Sequence, residues 1–154
     1  DFADDTAISA ENVTRREYHH VFPNQLLTEA GLDSMLALNC VLITWKTNRT
    51  IGRLDPITYL ERRAEFAPEP RDIQDRLESH LVPYTVVAAA GPYEQPAGSE
   101  LRAAVHPDFE EFLDQRARMV QRFMEAVCSG QQPHLRDTVD AEPKFLDEAK
   151  PEGH

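Results

Sequence analysis

The sequence has few cysteines and no motif that would pair them. Its two cysteines, Cys40 and Cys128, form no CxxC pair and are too few for a disulfide framework. Cys40 lies in an apolar run and is most simply a small core residue. This cysteine usage fits a reducing cytoplasm best.

Long hydrophobic runs are also missing. The longest, residues 82–90, is interrupted by Pro83 and is much shorter than the ~20 residues that cross a bilayer. No basic-then-apolar leader is visible, so we expect neither a membrane protein nor a secreted one. The chain begins with Asp1 rather than Met, which suggests a fragment of a longer protein whose missing segment could carry such a signal.

Basic charge is scarce, with 16 Lys and Arg against 27 Asp and Glu and a net charge of −11. This balance argues against a general nucleic-acid coat, because phosphate binding normally rests on clustered Lys and Arg. Basic side chains nevertheless concentrate between residues 45 and 63. Lys46, Arg49 and Arg53 are therefore candidate DNA phosphate contacts, and the alternative is a solvated basic helix face.

The chain is long enough for one domain with a real core and too short for two. We predict a single α+β domain over residues 15–130, with a flexible acidic lead-in over residues 1–14 and a polar tail over residues 131–154. Residues 82–98 hold three prolines and two glycines and read as a loop, or as a loop with one short strand over 84–88. Apolar periodicity and capping residues predict strands over 15–22 and 36–45, helical segments over 25–30, 48–51, 55–67 and 73–81, and a long helix over 108–128.

Two adjacent histidines, His19 and His20, stand near the end of the first predicted strand. Neighbouring residues of a strand point to opposite faces, so one imidazole can hold a metal while the other activates water. Phosphodiester hydrolysis needs such a base and a cation, and a histidine pKa of about 6.5 suits the base. An imidazole nitrogen and an asparagine side-chain oxygen can together hold a divalent ion, and so few charged ligands favour hydrated Mg²⁺ or Mn²⁺. A closed zinc site would need about four N or S ligands.

Each of these residues also has an ordinary structural interpretation. A histidine pair alone is commonly one packed and one solvated ring on a strand. Asn39, inside an apolar run, would be a satisfied core amide, and Asn48, just after Thr47, would belong to a helix start. These interpretations leave the joint spacing of the four residues unexplained.

The order HHVFP at residues 19–23, then Asn39, then Asn48 nine positions later resembles the HNH (His-Me finger) nuclease motif in its H-N-N form. More narrowly, the chain is similar to the C-terminal nuclease domain of GmrSD-type restriction proteins, over residues 15–129 in order. The segments that carry this likeness are NCVLITWKTNRTIG at 39–52, DPITYL at 55–60, SHLVP at 79–83 and FEEFLDQRA at 109–117.

The resemblance implies a ββα-metal (His-Me finger) core with a helical C-terminal subdomain. It implies that His19 is a metal ligand, that His20 is the general base and that Asn48 is a second ligand at a helix start. Asn39 would hold the loop between the strands and orient the catalytic histidine. Gly52 stands where zinc-binding members carry a further histidine, so the match favours weakly held Mg²⁺ over zinc.

The function that the resemblance implies is that of a divalent-metal-dependent DNA endonuclease or nickase in a bacterial restriction or anti-phage defence protein. An N-terminal ParB-like nucleotide-hydrolysing domain of the parent protein would be its partner. No membrane partner is expected, and the sequence allows an oligomer. The rival hypothesis is a catalytically weak or inactive HNH-fold module that binds DNA or a partner domain. Its long helix would then serve the partner through Phe109, Phe112, Met119 and Phe123. An RNA-directed enzyme has little support, because no aromatic-basic stacking surface is evident.

Three further residues have roles that the sequence leaves open. His80 follows a predicted helix, where a capping or packing role is favoured over a catalytic one. Arg116 lies on the apolar side of the long helix and either crosses toward the site or pairs with an acid. Glu17 points to the same side of its strand as His19 and could support that histidine.

Overall fold

The computed structural model describes residues 9, 16–44, 56, 58 and 70–133, with the backbone alone at residues 16, 43, 44 and 70–73. Several predictions lie outside these residues: the metal ligand Asn48, the phosphate contacts Lys46, Arg49 and Arg53, the helix over 48–51, and almost all of the lead-in and the tail. Pro56 and Thr58 are helical, in agreement with a helix that begins near residue 55.

The described chain is mixed α and β, which is compatible with the predicted α+β class. It runs in the order β1 (Arg16–His20), α1 (Asn24–Glu29), a 3₁₀ turn (Ala37–Asn39), β2 (Cys40–Thr44), α2 (Pro70–Glu78), α3 (Tyr84–Ala89) and α4 (Ser99–Cys128). None of its helices is both long enough and apolar enough to cross a membrane.

β1 and β2 form a two-stranded antiparallel sheet in which Arg16 pairs with Thr44 and His20 pairs with Cys40. Both strands are shorter than predicted. β1 ends at His20 because Val21 and Phe22 turn into the core, and β2 begins only after the 3₁₀ turn. The strands are joined by residues 21–39 rather than by a tight hairpin turn, and these residues carry α1.

Phe22, two residues after β1, anchors the sheet to the longest helix. Its ring centroid lies 5.2 Å from that of Phe109 and 5.2 Å from that of Phe112, both on α4. All three side chains are buried, in a core that also contains Val21, Leu27, Val41, Leu77, Val87, Leu101 and Val105. Aromatic rings at these separations gain a further ~0.5–1.5 kcal/mol per pair beyond burial. The end of β1 is therefore held directly against α4.

Two secondary-structure predictions for residues 82–107 are wrong. α4 begins at Ser99 and continues through Pro107, whereas the sequence placed its start at Asp108. Proline inside a helix costs ~3 kcal/mol or more, but the extra turns bury Leu101 and Val105, and this burial offsets that cost. Tyr84–Ala89 is a helix rather than a loop or strand, because Val87 packs into the core from it and tertiary burial overrides the strand preference of valine.

α1 and α2 end in the same capping geometry. After α1, the amides of Gly31 and Leu32 donate to the carbonyls of Thr28 and Leu27, and Gly31 has φ 66°. This is a Schellman motif, in which Gly31 ends a helix close to the predicted segment over residues 25–30. After α2, Leu81 occupies the corresponding left-handed position with φ 53°, although leucine pays a steric cost there.

Candidate active site at the end of the first strand

The two histidines of β1 lie on different faces of the sheet. His19 pairs with Val41, and both are buried, with 6% and 4% of their surface exposed. Tyr18, on the opposite face, is 75% exposed, and His20 on that same face is half-buried. His19 therefore faces the protein interior while His20 lies on the more open side.

The ladder places the His20 and Cys40 side chains next to each other. Val21 N–H donates to the Asn39 carbonyl at 2.8 Å, which extends the ladder by one hydrogen-bonded pair beyond β1. Because hydrogen-bonded and non-hydrogen-bonded pairs alternate in an antiparallel ladder, His20 and Cys40 form a non-hydrogen-bonded pair. In such pairs the side chains approach more closely and the backbone polar groups point away from the partner strand.

One nitrogen of His20 has no hydrogen-bond partner in the described part of the chain. Its Nε2 atom is buried and makes no hydrogen bond to any described residue. Leaving a buried polar atom unsatisfied costs ~1–3 kcal/mol, so such an atom indicates a bound ligand, a water molecule or a catalytic role. In a site that must accept a proton from water, an imidazole nitrogen without a protein partner is the required feature.

Asn39 connects the start of β2 to the backbone just after His20. Its side chain is completely buried. Oδ1 accepts a hydrogen bond from Phe22 N–H at 2.9 Å, and Nδ2 donates to the Phe22 carbonyl at 3.1 Å and to the Ser34 carbonyl at 3.2 Å. The amide thus satisfies both backbone groups of Phe22. These are the contacts expected of a residue that holds the loop between the strands, and its catalytic role stays a prediction.

Ser34 is a supporting residue that the sequence did not single out. It is buried, its carbonyl accepts from Asn39, and its hydroxyl donates to Asn24 Oδ1. The preceding Asp33 accepts from Met35 N–H at 2.9 Å in an Asx turn. The Asp-Ser pair before an apolar run was the available signal, since both residue types hydrogen-bond to the nearby chain.

Arg116 crosses from α4 to the sheet. Its Nη1 donates to the Leu38 carbonyl at 2.6 Å, and its Nη2 donates to the Cys40 carbonyl at 3.0 Å. Nη2 also lies 3.4 Å from the His80 carbonyl. The sequence leaves open whether Arg116 crosses toward the site or pairs with an acid. In the structure it crosses toward the site and contacts the backbone on both sides of Asn39.

The structure places His80 at the end of α2 and Glu17 on the same face of β1 as His19. The Nδ1 atom of His80 lies 2.9 Å from the Arg76 carbonyl in the last turn of α2, so this nitrogen carries the proton and caps the helix. Glu17 is half-buried and shares its face of β1 with His19.

The structure describes only part of the predicted metal site. Within the described ranges, no group of three His, Cys, Asp or Glu side chains is placed to hold a metal ion. His19 is the one predicted ligand among them, because Asn48 lies outside. One imidazole with an amide oxygen suits a hydrated Mg²⁺ or Mn²⁺ and does not suit a closed zinc site.

Cys40, the cross-strand neighbour of His20, is held as a neutral thiol. Burial raises the pKa of this thiol above its ordinary value of 9.0, and the Arg116 guanidinium opposes that shift. Its Sγ donates to the Leu36 carbonyl at 3.6 Å. Cys40 therefore contributes packing beside His20 and is not suited to be a nucleophile.

We expect Cys40 to react with iodoacetamide at least about tenfold more slowly than the exposed Cys128 at pH 8, because the thiolate is the reactive form. Its reaction should accelerate only as the pH rises through its raised pKa. Mass spectrometry of peptides after timed alkylation measures both rates in one sample. Alkylation in urea is the reference, where both cysteines should react at equal rates. Equal rates for Cys40 and Cys128 in the folded protein would contradict the assignment of Cys40 as a neutral thiol.

Comparison of the chain with known proteins gives no match among family models, curated proteins or solved structures. The candidate site therefore rests on the residues themselves: the buried imidazole nitrogen at the end of β1, and the asparagine and arginine that fix the backbone around it.

Proposed function

We propose that the chain is a divalent-metal-dependent DNA endonuclease or nickase with a ββα-metal core, and that His20 is its general base. The observation that carries the proposal is the buried Nε2 of His20, which has no hydrogen-bond partner among the described residues. The backbone that directly follows this histidine is fixed by Asn39. A base held rigidly, with one nitrogen left available, is what water activation requires.

Each residue has a distinct part in the proposed reaction. Nε2 of His20 accepts the proton of the attacking water. Asn39 keeps the end of β1 in place so that this nitrogen stays aligned with the scissile phosphate. His19 and Asn48 would hold the Mg²⁺ or Mn²⁺, which when bound supplies positive charge for the phosphate oxygens and the leaving oxygen.

The acidity of the chain restricts how DNA reaches this site. With a net charge of −11, the protein as a whole repels a polyanion, so DNA binding rests on a local basic surface. Lys46, Arg49 and Arg53 are the proposed phosphate contacts. Recognition of the target then belongs to the parent protein, through the ParB-like nucleotide-hydrolysing domain of a cytoplasmic restriction or anti-phage system.

Conversion of supercoiled plasmid to the nicked or linear form tests this proposal. We expect Mg²⁺ and Mn²⁺ to support conversion at rates within about tenfold of each other, and Zn²⁺ to support it less, because few protein ligands and several waters suit the harder ions. EDTA-treated protein is the control. A chain that is folded by circular dichroism and converts no plasmid with either ion would overturn the proposal.

The rival hypothesis of a non-catalytic module makes the opposite prediction in the same experiment: a DNA mobility shift without cleavage. The rival hypothesis placed a partner-binding surface on the long helix, and most of the residues named for that surface are buried. Phe109, Phe112 and Met119 are buried within the protein, so they are not available to a partner domain. The nuclease proposal uses the same aromatic residues as the support of the site.

A further inference from the structure

We infer that Arg116 is a positioning residue of the active site, one that acts on His20 through Asn39. This inference rests on the proposed function, because it assigns Arg116 a part in that reaction. It concerns a residue on the long helix, 76 positions along the chain from its contact with Cys40.

The guanidinium group fixes the two carbonyls that flank Asn39. Nη1 binds the carbonyl of Leu38 at 2.6 Å, and Nη2 binds the carbonyl of Cys40 at 3.0 Å. These two contacts set the orientation of the 38–39 and 40–41 peptide units, which lie on either side of the peptide unit between Asn39 and Cys40. Because Arg116 is only 7% exposed, solvent competes little for these charge-assisted hydrogen bonds.

Asn39 in turn is hydrogen-bonded to the residues that directly follow β1, the strand that holds His20. Its side chain binds the N–H and the carbonyl of Phe22, and its own carbonyl accepts from Val21 N–H. Val21 directly follows His20. In addition, Cys40, whose carbonyl Arg116 binds, is the cross-strand partner of His20. Two short paths therefore lead from the guanidinium to the proposed base.

The guanidinium group of Arg116 makes a third contact, to the strained turn that follows α2. Nη2 of Arg116 lies 3.4 Å from the carbonyl of His80, the residue before Leu81, whose φ of 53° is costly for leucine. One side chain of α4 thus joins the start of β2 to the turn between α2 and α3. The active site consequently depends on the packing of the helical region and not only on the two strands.

Lysine cannot reproduce this arrangement. Arginine presents several donors in a rigid planar fork, whereas lysine places a single ammonium group on a flexible stem. Arg116→Lys keeps the positive charge and most of the apolar stem but lacks the two fixed Nη donors that bind the two carbonyls. This substitution separates a positioning role from a simple need for charge.

We expect Arg116→Lys to lower kcat for plasmid nicking by about 10-fold to 30-fold and to change KM for DNA by less than about 3-fold, because misplacement of a catalytic group by ~1 Å can cost up to ~10²-fold in rate. The matched control is Arg118→Lys, two residues along α4, where the guanidinium makes an exposed ion pair with Asp114. Rates are measured well below the melting temperature of each variant. A purely structural role would lower that temperature and leave kcat per folded molecule unchanged.

Amide hydrogen exchange supplies a readout that does not depend on catalysis. In Arg116→Lys, the amides of Val21 and Phe22 should exchange about tenfold faster, because local opening of the strand end becomes easier, while amides of the core helix such as Phe112 stay protected. Arg116→Gln is the second variant, because it removes the positive charge together with the planar guanidinium group.

The two experiments together distinguish the possible failures. Wild-type protein that nicks DNA, with Arg116→Lys and Arg116→Gln unchanged in kcat, would overturn this inference and leave the proposed function standing. Unchanged exchange at Val21 and Phe22 would overturn it as well. Wild-type protein that fails to nick, with faster Phe22 exchange in the variants, would overturn the proposed function and keep the link between Arg116 and the strand end.

Discussion

His20→Ala is expected to reduce kcat for plasmid nicking by about 10²–10⁴-fold, the usual contribution of a general base. The substitution removes a side chain whose buried Nε2 atom has no hydrogen-bond partner among the described residues. KM for DNA should change little, because the proposed base contacts the attacking water rather than the DNA backbone. The initial rate of supercoiled plasmid loss, at saturating and at low plasmid concentrations, gives both constants.

His106→Ala is the matched control for this prediction. His106 is a histidine on α4 that forms an (i, i+4) pair with Glu110 at 3.3 Å near the protein surface. Its replacement should leave the rate within about twofold of the wild type, since such exposed pairs contribute little to stability. Equal plasmid conversion by the wild type, His106→Ala and His20→Ala would remove the catalytic assignment of His20.

His19→Ala separates the proposed ligand from the proposed base. Loss of a ligand weakens binding of the ion, so a higher Mg²⁺ concentration should restore part of the activity of His19→Ala. No Mg²⁺ concentration should restore His20→Ala, because the missing group is the proton acceptor. If only His20→Ala responded to added Mg²⁺, the two histidines would have to exchange roles. Since His19 is buried beside Val41, its variant needs a circular dichroism check of folding.

The sequence predicts this region well where the signals are local. Alternation along β1 is enough to place His19 and His20 on different faces, and Gly31 is enough to end α1. Helix boundaries are predicted less well from the sequence. Proline at position 107 is a normal start signal, and only the burial of Leu101 and Val105 explains why α4 begins earlier at Ser99.

The supporting contacts of the site could not be predicted because they are distant in sequence. The carbonyls that Arg116 binds at Leu38 and Cys40 lie 78 and 76 positions away. The sequence shows that an arginine interrupts the apolar face of a helix, but it does not show which distant residues pack against that arginine in the fold. The resemblance to the HNH motif predicts Asn39, whereas its hydrogen bond to the Ser34 carbonyl becomes evident only in the folded loop.

Asn39→Ala is expected to lower the free energy of unfolding by about 3–4 kcal/mol, because it leaves three buried backbone groups without their partner. These groups are the N–H and the carbonyl of Phe22 and the carbonyl of Ser34. Each group loses a hydrogen bond while it stays buried, and that is the costly case. Urea denaturation followed by circular dichroism gives the free energy of unfolding directly, and this prediction holds whether or not the protein cleaves DNA.

Asn24→Ala provides the same truncation at an exposed side chain. Asn24 accepts one hydrogen bond, from the Ser34 hydroxyl, so its replacement should cost about 1 kcal/mol. The difference between the two variants then isolates what burial and multiple bonding add at Asn39. If they differed by less than about 1 kcal/mol, other contacts such as the packing of Phe22 against α4 would be sufficient to hold the strand end. In that case the loss of kcat in Asn39→Ala should also be small, because the end of β1 would keep its place without the amide.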